Sequence, residues 1–258
     1  MVNIIDTTEI QSPKVNLNIC GSNHTRVDFS EVAQVQTPEA TETWRPVGHT
    51  FLIDKVQSRL EDRGFQVLGS SHNLARNGQR YFGLFQVSHK DRENNQRGTI
   101  VGLRNAHDKC FPAGLCAGDA PFVCDNLIFH NEVKLARRHT KNILNDLDQV
   151  ISRTLGKLFG MWNTQDNRIE AYSQLELKDA QVNDIVVRSC KAGALPKSKI
   201  MDVVEQWHDS DHDEFSHRNL NSLYNGFTEV YKGNIMALPK RSEALHSVFD
   251  AEVGFKLN

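Results

Sequence analysis

The chain has 258 residues, enough for one large domain or two small ones with a real core. Hydrophobic residues make up 39% and charged residues 24%, a balance that excludes a disordered chain, and no apolar run approaches the roughly 18–20 residues of a membrane helix. The formal net charge of -2 conceals a segregation: residues 1–43 carry 2 basic and 6 acidic side chains, residues 44–141 carry 15 and 9, and residues 142–258 carry 13 and 17. An anionic partner is therefore expected at the middle of the chain.

In chain order, residues 1–43 are polar and read as a flexible N-terminal arm with one short strand. They begin without the basic and apolar regions of a signal peptide, which leads to the expectation of a cytoplasmic protein. The compact part opens at Trp44-Arg45-Pro46-Val47-Gly48-His49. A helix is predicted over 50–63, with Phe51, Leu52, Val56 and Leu60 on one stripe and Gly64 at its end. Strands follow at 65–71 and 80–88, joined by Asn77-Gly78, a strong hairpin signal. A charged turn at 89–97 leads into a strand at 98–104, and 113–129 reads as one or two further short strands. The rest reads as helices: 139–161, with Ile143, Leu147, Val150, Ile151, Leu155 and Leu158 in phase, then 178–190, 198–208, 214–232 and 241–250. The expectation is one α+β domain over 44–258, sheet-rich at 44–138 and helical at 139–258, with a central antiparallel sheet flanked by helices.

The strongest chemical signal is basic. Lys134, Arg137, Arg138 and Lys141 place four cations in eight residues. Taken as the start of a helix, their three- and four-residue steps put all four on one face, with Glu132 and Asp146 on its flanks. Arg80, Arg97, Arg104 and Lys109, from the strands and the following loop, extend this patch, and phosphate contacts by such residues give sequence-independent, salt-sensitive affinity. Tyr81, Phe82 and Phe85 could offer a stacking surface to single strands, although alternating aromatics in a strand also serve as core.

Two other clusters invite catalytic or metal readings. In WHDSDHDEFSHR, residues 207–218, His208 and His212 could share a face with Asp209, Asp213 or His217 and suit a divalent metal. The intervening Asp-Ser-Asp favours a turn and a helix N-cap instead. Asn105, His107, Asp108, Lys109 and Cys110 could support nucleophilic or nuclease chemistry, yet there is no Gly-rich phosphate loop, HExxH or GxSxG. The five cysteines, at 20, 110, 116, 124 and 190, show no CxxC pair. They are expected to be reduced, with Cys110, Cys116 and Cys124 acting as small packing thiols rather than zinc ligands. No catalytic residue, metal or cofactor is assigned.

Several segments carry a resemblance: WRPVGH at 44–49, NGQRYFGLFQV at 77–87, LRNAHDKCFPAGLCAGDAPFVCDNLIF at 103–129, KLARRHT at 134–140 and EFSHRNLNSLYNGFTEVYKG at 214–233. With these, the chain resembles the phage/plasmid-like proteins catalogued as domain of unknown function 932. That resemblance implies a setting in phages, plasmids and integrated elements, and no mechanism. The order of helix, hairpins and basic helix is also similar to the single-strand annealing recombinases of the Rad-fifty-two kind, which implies ring assembly and a basic groove for single-stranded DNA. This is a likeness of architecture, and fold does not settle function.

The expected function is thus a phage- or plasmid-type nucleic-acid-binding protein of replication or recombination. Single-stranded DNA is the favoured partner, and single-strand annealing is one such activity. Self-association is expected through a sheet edge and the 50–63 helix. The alternatives are a protein-interaction factor that modulates a host enzyme or defence complex, and a metal-dependent nuclease. No membrane partner is expected.

Overall fold

The structure is a computed structural model that describes residues 17, 25–92, 97–121, 127–231 and 237–256. It has the expected α+β class. Among the described residues six strands, β1 (Thr25–Val27), β2 (Phe65–Ala75), β3 (Arg80–His89), β4 (Arg97–Ala106), β5 (Ala113–Pro121) and β6 (Ile128–Arg137), form one sheet in the order of the chain. Every pairing is antiparallel. Helices α1 (Phe29–Gln34) and α2 (His49–Glu61) lie among the early strands. The helices α3 (Ile143–Leu155), α4 (Leu158–Gln174), α5 (Asp179–Ala192), α6 (Ile200–His208), α7 (Leu220–Val230) and α8 (Leu238–Val253) follow β6.

The hairpin at Asn77-Gly78 forms as its residues require: Arg76, Asn77 and Gly78 all take positive φ, at 54°, 56° and 80°. Alternation then sorts side chains to the two sheet faces. On the first face Tyr81, Phe85, Val101, Leu103, Leu115 and Leu135 pack with the buried stripes of α2 and α3, joined by Met161 and Trp162 of α4. On the second face Leu84, Ile100 and Phe129 pack with α4 to α8 in a separate core that includes Tyr172, Tyr224, Phe227 and Phe249.

The largest departure from the sequence reading is β6. The basic run at 134–141 does not open a helix: Lys134 and Arg137 lie in the strand, and α3 begins only at Ile143. The pattern is period two, with Val133 and Leu135 buried while Lys134 and Ala136 are exposed. The four cations therefore do not share a helical face. A bulge marks the same strand: Cys116 pairs with Lys134 but the next residue, Ala117, pairs with His130.

Three other boundaries move. The segment read as an arm contributes β1, paired to β2, and α1, whose Val32 is 1% exposed within the first core. The helix predicted over 139–161 is two helices broken near Gly156, and the second runs on to Gln174. The helix predicted from 214 starts at Leu220, where the Asn219 side chain accepts the Ser222 N–H at 2.9 Å.

Candidate nucleic-acid interface

Strand order gathers the predicted cations in a way the helix reading did not foresee. The start of β3, the end of β4, the start of β5 and the end of β6 all lie at one end of the sheet, since Arg80 pairs with Ala106 and Ala113 with Arg137. Arg80, Arg104, Lys109, Lys134, Arg137, Arg138 and Lys141 thus approach the same end from three strands and two connecting segments. Arg97 does not: it pairs with Pro121 at the opposite end.

Within that end, the cations divide between faces. Cross-strand partners share a face, so the rows Phe82–Arg104–Gly114–Ala136 and Gly102–Cys116–Lys134 lie on the second face. A hollow of about 210 Å³ lies over these rows, with Pro239 and Lys240 from the first turn of α8 on its rim. Two strand glycines shape its floor. A Cβ on Gly114 would lie 2.9 Å from Arg104 Nε and 3.1 Å from its Cγ, so the Arg104 side chain lies directly against the Gly114 backbone. A Cβ on Gly102 would lie 2.8 Å from Phe129 Cζ, so the Phe129 ring lies over that glycine.

The electrostatics favour an anion. The Arg104 guanidinium sits 5.5 Å from the Phe111 ring and has no carboxylate partner among the described residues. Lys240 is exposed, and the first turn of α8 carries no acid. Lys134 Nζ lies 3.5 Å from Glu243, an exposed pair worth little against a phosphate. Arg80 donates to Asp108 at 2.6 Å and lies 5.9 Å from the Phe111 ring. The Cys116 thiol lines the hollow, and burial pushes its pKa up to about 12 despite the cations of Arg104 and Lys134, so it stays a neutral thiol.

The remaining predicted residues are placed elsewhere. Arg137 makes two hydrogen bonds to Asp146 of α3, at 3.0 and 3.1 Å, so the acid read as a flank neutralises it. Lys109 sits 4.7 Å from the Trp44 ring, while Arg138 and Lys141 are exposed in the link to α3. Arg97 is buried and donates twice to Asp119, at 3.0 and 2.8 Å. Burial alone would raise the Asp119 carboxyl, but the Arg97 guanidinium, with the adjacent His130 side chain, outweighs it and holds the group well below the usual carboxylate range. Tyr81 and Phe85 are core, and only Phe82 of the three strand aromatics lines the hollow.

Neither catalytic cluster assembles. Asn105 and His107 both donate to the Val47 carbonyl, at 2.7 and 2.9 Å, while Asp108 holds Arg80 and accepts the Cys110 N–H. His208 ends α6, and His212 Nε2 lies 3.7 Å from Glu229. Among the described residues no group of three or more His, Cys, Asp or Glu is placed to hold a metal. Cys110, Cys116 and Cys190 are free thiols, and Cys20 and Cys124 lie outside the described residues. Sequence reasoning missed Phe111, Phe129 and Lys240, and it missed a histidine cage in which His49 stacks on His107 at 4.0 Å and His139 Nδ1 accepts the Val47 N–H. Glycines at 102 and 114, inside otherwise good strands, were the available signal for close packing on the sheet.

Among the described residues no helix is long and apolar enough to cross a membrane. Comparison with protein-family models, with curated proteins and with solved structures finds no match.

Proposed function

We propose that the protein is a cytoplasmic nucleic-acid-binding protein, and that the second face of its sheet, at the end where β4, β5 and β6 carry Arg104, Gly114 and Lys134, receives the phosphate backbone. The observation that carries this reading is the hollow itself: Arg104 and Lys240 stand on it without carboxylate partners among the described residues, beside Phe82 and Phe129. Cations give affinity without sequence preference. The resemblance to phage- and plasmid-borne proteins gives this activity a setting in replication or recombination, including strand annealing.

The test is fluorescence anisotropy of a labelled random-sequence oligonucleotide across a salt series. The wild type is expected to lose affinity linearly in log–log form as salt rises. Arg104→Glu and Lys240→Glu are each expected to weaken binding at least tenfold and to lower the salt slope, whereas Lys191→Glu, on α5, is expected to do neither. Wild-type affinity in both of the first two variants, with unchanged circular dichroism, would remove the proposal. Cleavage of the oligonucleotide on adding Mg²⁺ would point to a nuclease instead.

A further inference from the structure

We infer that the hollow binds a small amphipathic monoanion, a carboxylic acid with a short apolar body that rests on the sheet while its carboxylate meets the cations of Arg104, Lys134 and Lys240. The inference goes beyond the nucleic-acid reading and does not require it.

The hollow marks the place where the second core stops. On that face Leu84, Ile100 and Phe129 pack with the helices. Toward the cationic end the same face carries only small side chains at Gly102, Gly114, Cys116 and Ala136, and the space above them is open. Phe129, itself 2% exposed, closes one side with the tip of its ring against Gly102. Strand pairing engages the backbone beneath: Arg104 pairs with Gly114 and Gly114 with Ala136, Gly102 with Cys116 and Cys116 with Lys134. The neutral Cys116 thiol turns to the Gly102 carbonyl, 3.9 Å away. A ligand body lying there finds few polar partners, so it must be apolar itself. Charge enters only as cations: Arg104, Lys134 and Lys240 line the hollow and, among the described residues, no acid does, Glu243 meeting Lys134 from outside it. Size limits the body. At roughly 30 Å³ per water, 210 Å³ has the room of about seven waters, and so of about seven or eight non-hydrogen atoms. Hexanoate, a carboxylate on a five-carbon chain, has that size.

The test is isothermal titration of the wild-type protein with straight-chain acids from acetate to octanoate. Each added methylene is expected to tighten binding roughly fourfold as far as hexanoate, at one site per chain, and the gain is expected to end once the hollow is full. Affinity that does not depend on chain length, or no binding of hexanoate, would overturn the inference. Hexanol has the same body without the charge and is expected to bind at least about tenfold more weakly than hexanoate, since a hydrogen bond to a charged group is lost. Equal affinity for the two would overturn the cationic edge. Ala136 is exposed on the strand surface that lines the hollow, so Ala136→Leu fills the space without entering either core. This variant is expected to weaken hexanoate about fivefold or more with unchanged circular dichroism, and full affinity would place the acid elsewhere. Replacing Arg104 and Lys240 together with Gln is expected to weaken hexanoate at least about tenfold and to leave hexanol unchanged, and an equal effect on both ligands would count against the inference. None of these titrations contains an oligonucleotide, so their failure leaves the phosphate reading to the salt series, and failure of the salt series leaves this site standing.

Discussion

Single residues decide which cations remain available. Arg97, Arg104 and Arg137 are alike in sequence, yet Asp119 holds the first, Asp146 holds the last, and Arg104 lies against a glycine. None of this is legible locally, because Asp119 reaches Arg97 only through the pairing of β4 with β5, across 22 residues of chain. Asp119→Ala should therefore destabilise the fold by about 3–5 kcal/mol, the usual cost of removing one partner of a buried ion pair, and urea denaturation should show it as a lowered midpoint. Gly114→Ala acts differently. Its Cβ must displace Arg104 and also meets the Leu135 carbonyl oxygen at 3.3 Å, so a loss of about 1–3 kcal/mol is expected together with weakened oligonucleotide binding. Full affinity in a folded Gly114→Ala protein would show that the position of Arg104 against the sheet does not matter.

At the level of elements, long apolar periodicities were readable and the basic run was not. The hairpin of β2 and β3 and the stripes of α2 and α3 follow from spacing alone. KLARRH misled because cations at three- and four-residue steps imitate a helix face, while the decisive cue was the shorter alternation of Val133, Lys134, Leu135 and Ala136. Strand β6 is protected by an element distant in sequence: the buried Ser242 hydroxyl of α8 accepts the Phe129 N–H at 3.3 Å. Ser242→Ala should leave that amide unpaired and cost about 1–3 kcal/mol. Hydrogen exchange would register faster exchange at the Phe129 amide in the variant, and equal protection would mean that another acceptor serves it.

For the whole molecule, the histidine cage makes stability depend on pH. Residues 44–49 are tied to the sheet through Val47, which contacts Asn105, His107 and His139, and through His49, whose Nε2 bonds to the Gly78 carbonyl. Burial first, then the neighbouring His107, lowers the His49 pKa from 6.5 to about 4, and burial lowers His107 and His139 as well. The unfolded chain binds more protons between these values, so the stability from neutral histidines is complete above pH 6.5 and is lost as the pH falls toward 4. At 1.36 kcal/mol per pKa unit, His49 alone accounts for roughly 3 kcal/mol. The urea midpoint should therefore drop steeply between about pH 6.5 and 4.5, and His49→Gln should flatten that slope. A wild-type midpoint constant across this range would contradict the assignment. This cage was invisible in the sequence because its histidines come from α2, the loop after β4 and the link after β6, and only the fold brings them together.

The order of the sheet also bears on how the chain is made. Each strand neighbours the one before it in sequence, so the contacts of the sheet are local, a topology that favours rapid folding. The cover for β6 is the exception, since Ser242 follows Phe129 by 113 residues. At roughly 5–20 residues per second, synthesis leaves that strand without its helix for on the order of 5–20 s. During that interval the newborn sheet presents an edge able to pair with another chain, and solubility during synthesis depends on the C-terminal helix as much as on the sheet itself.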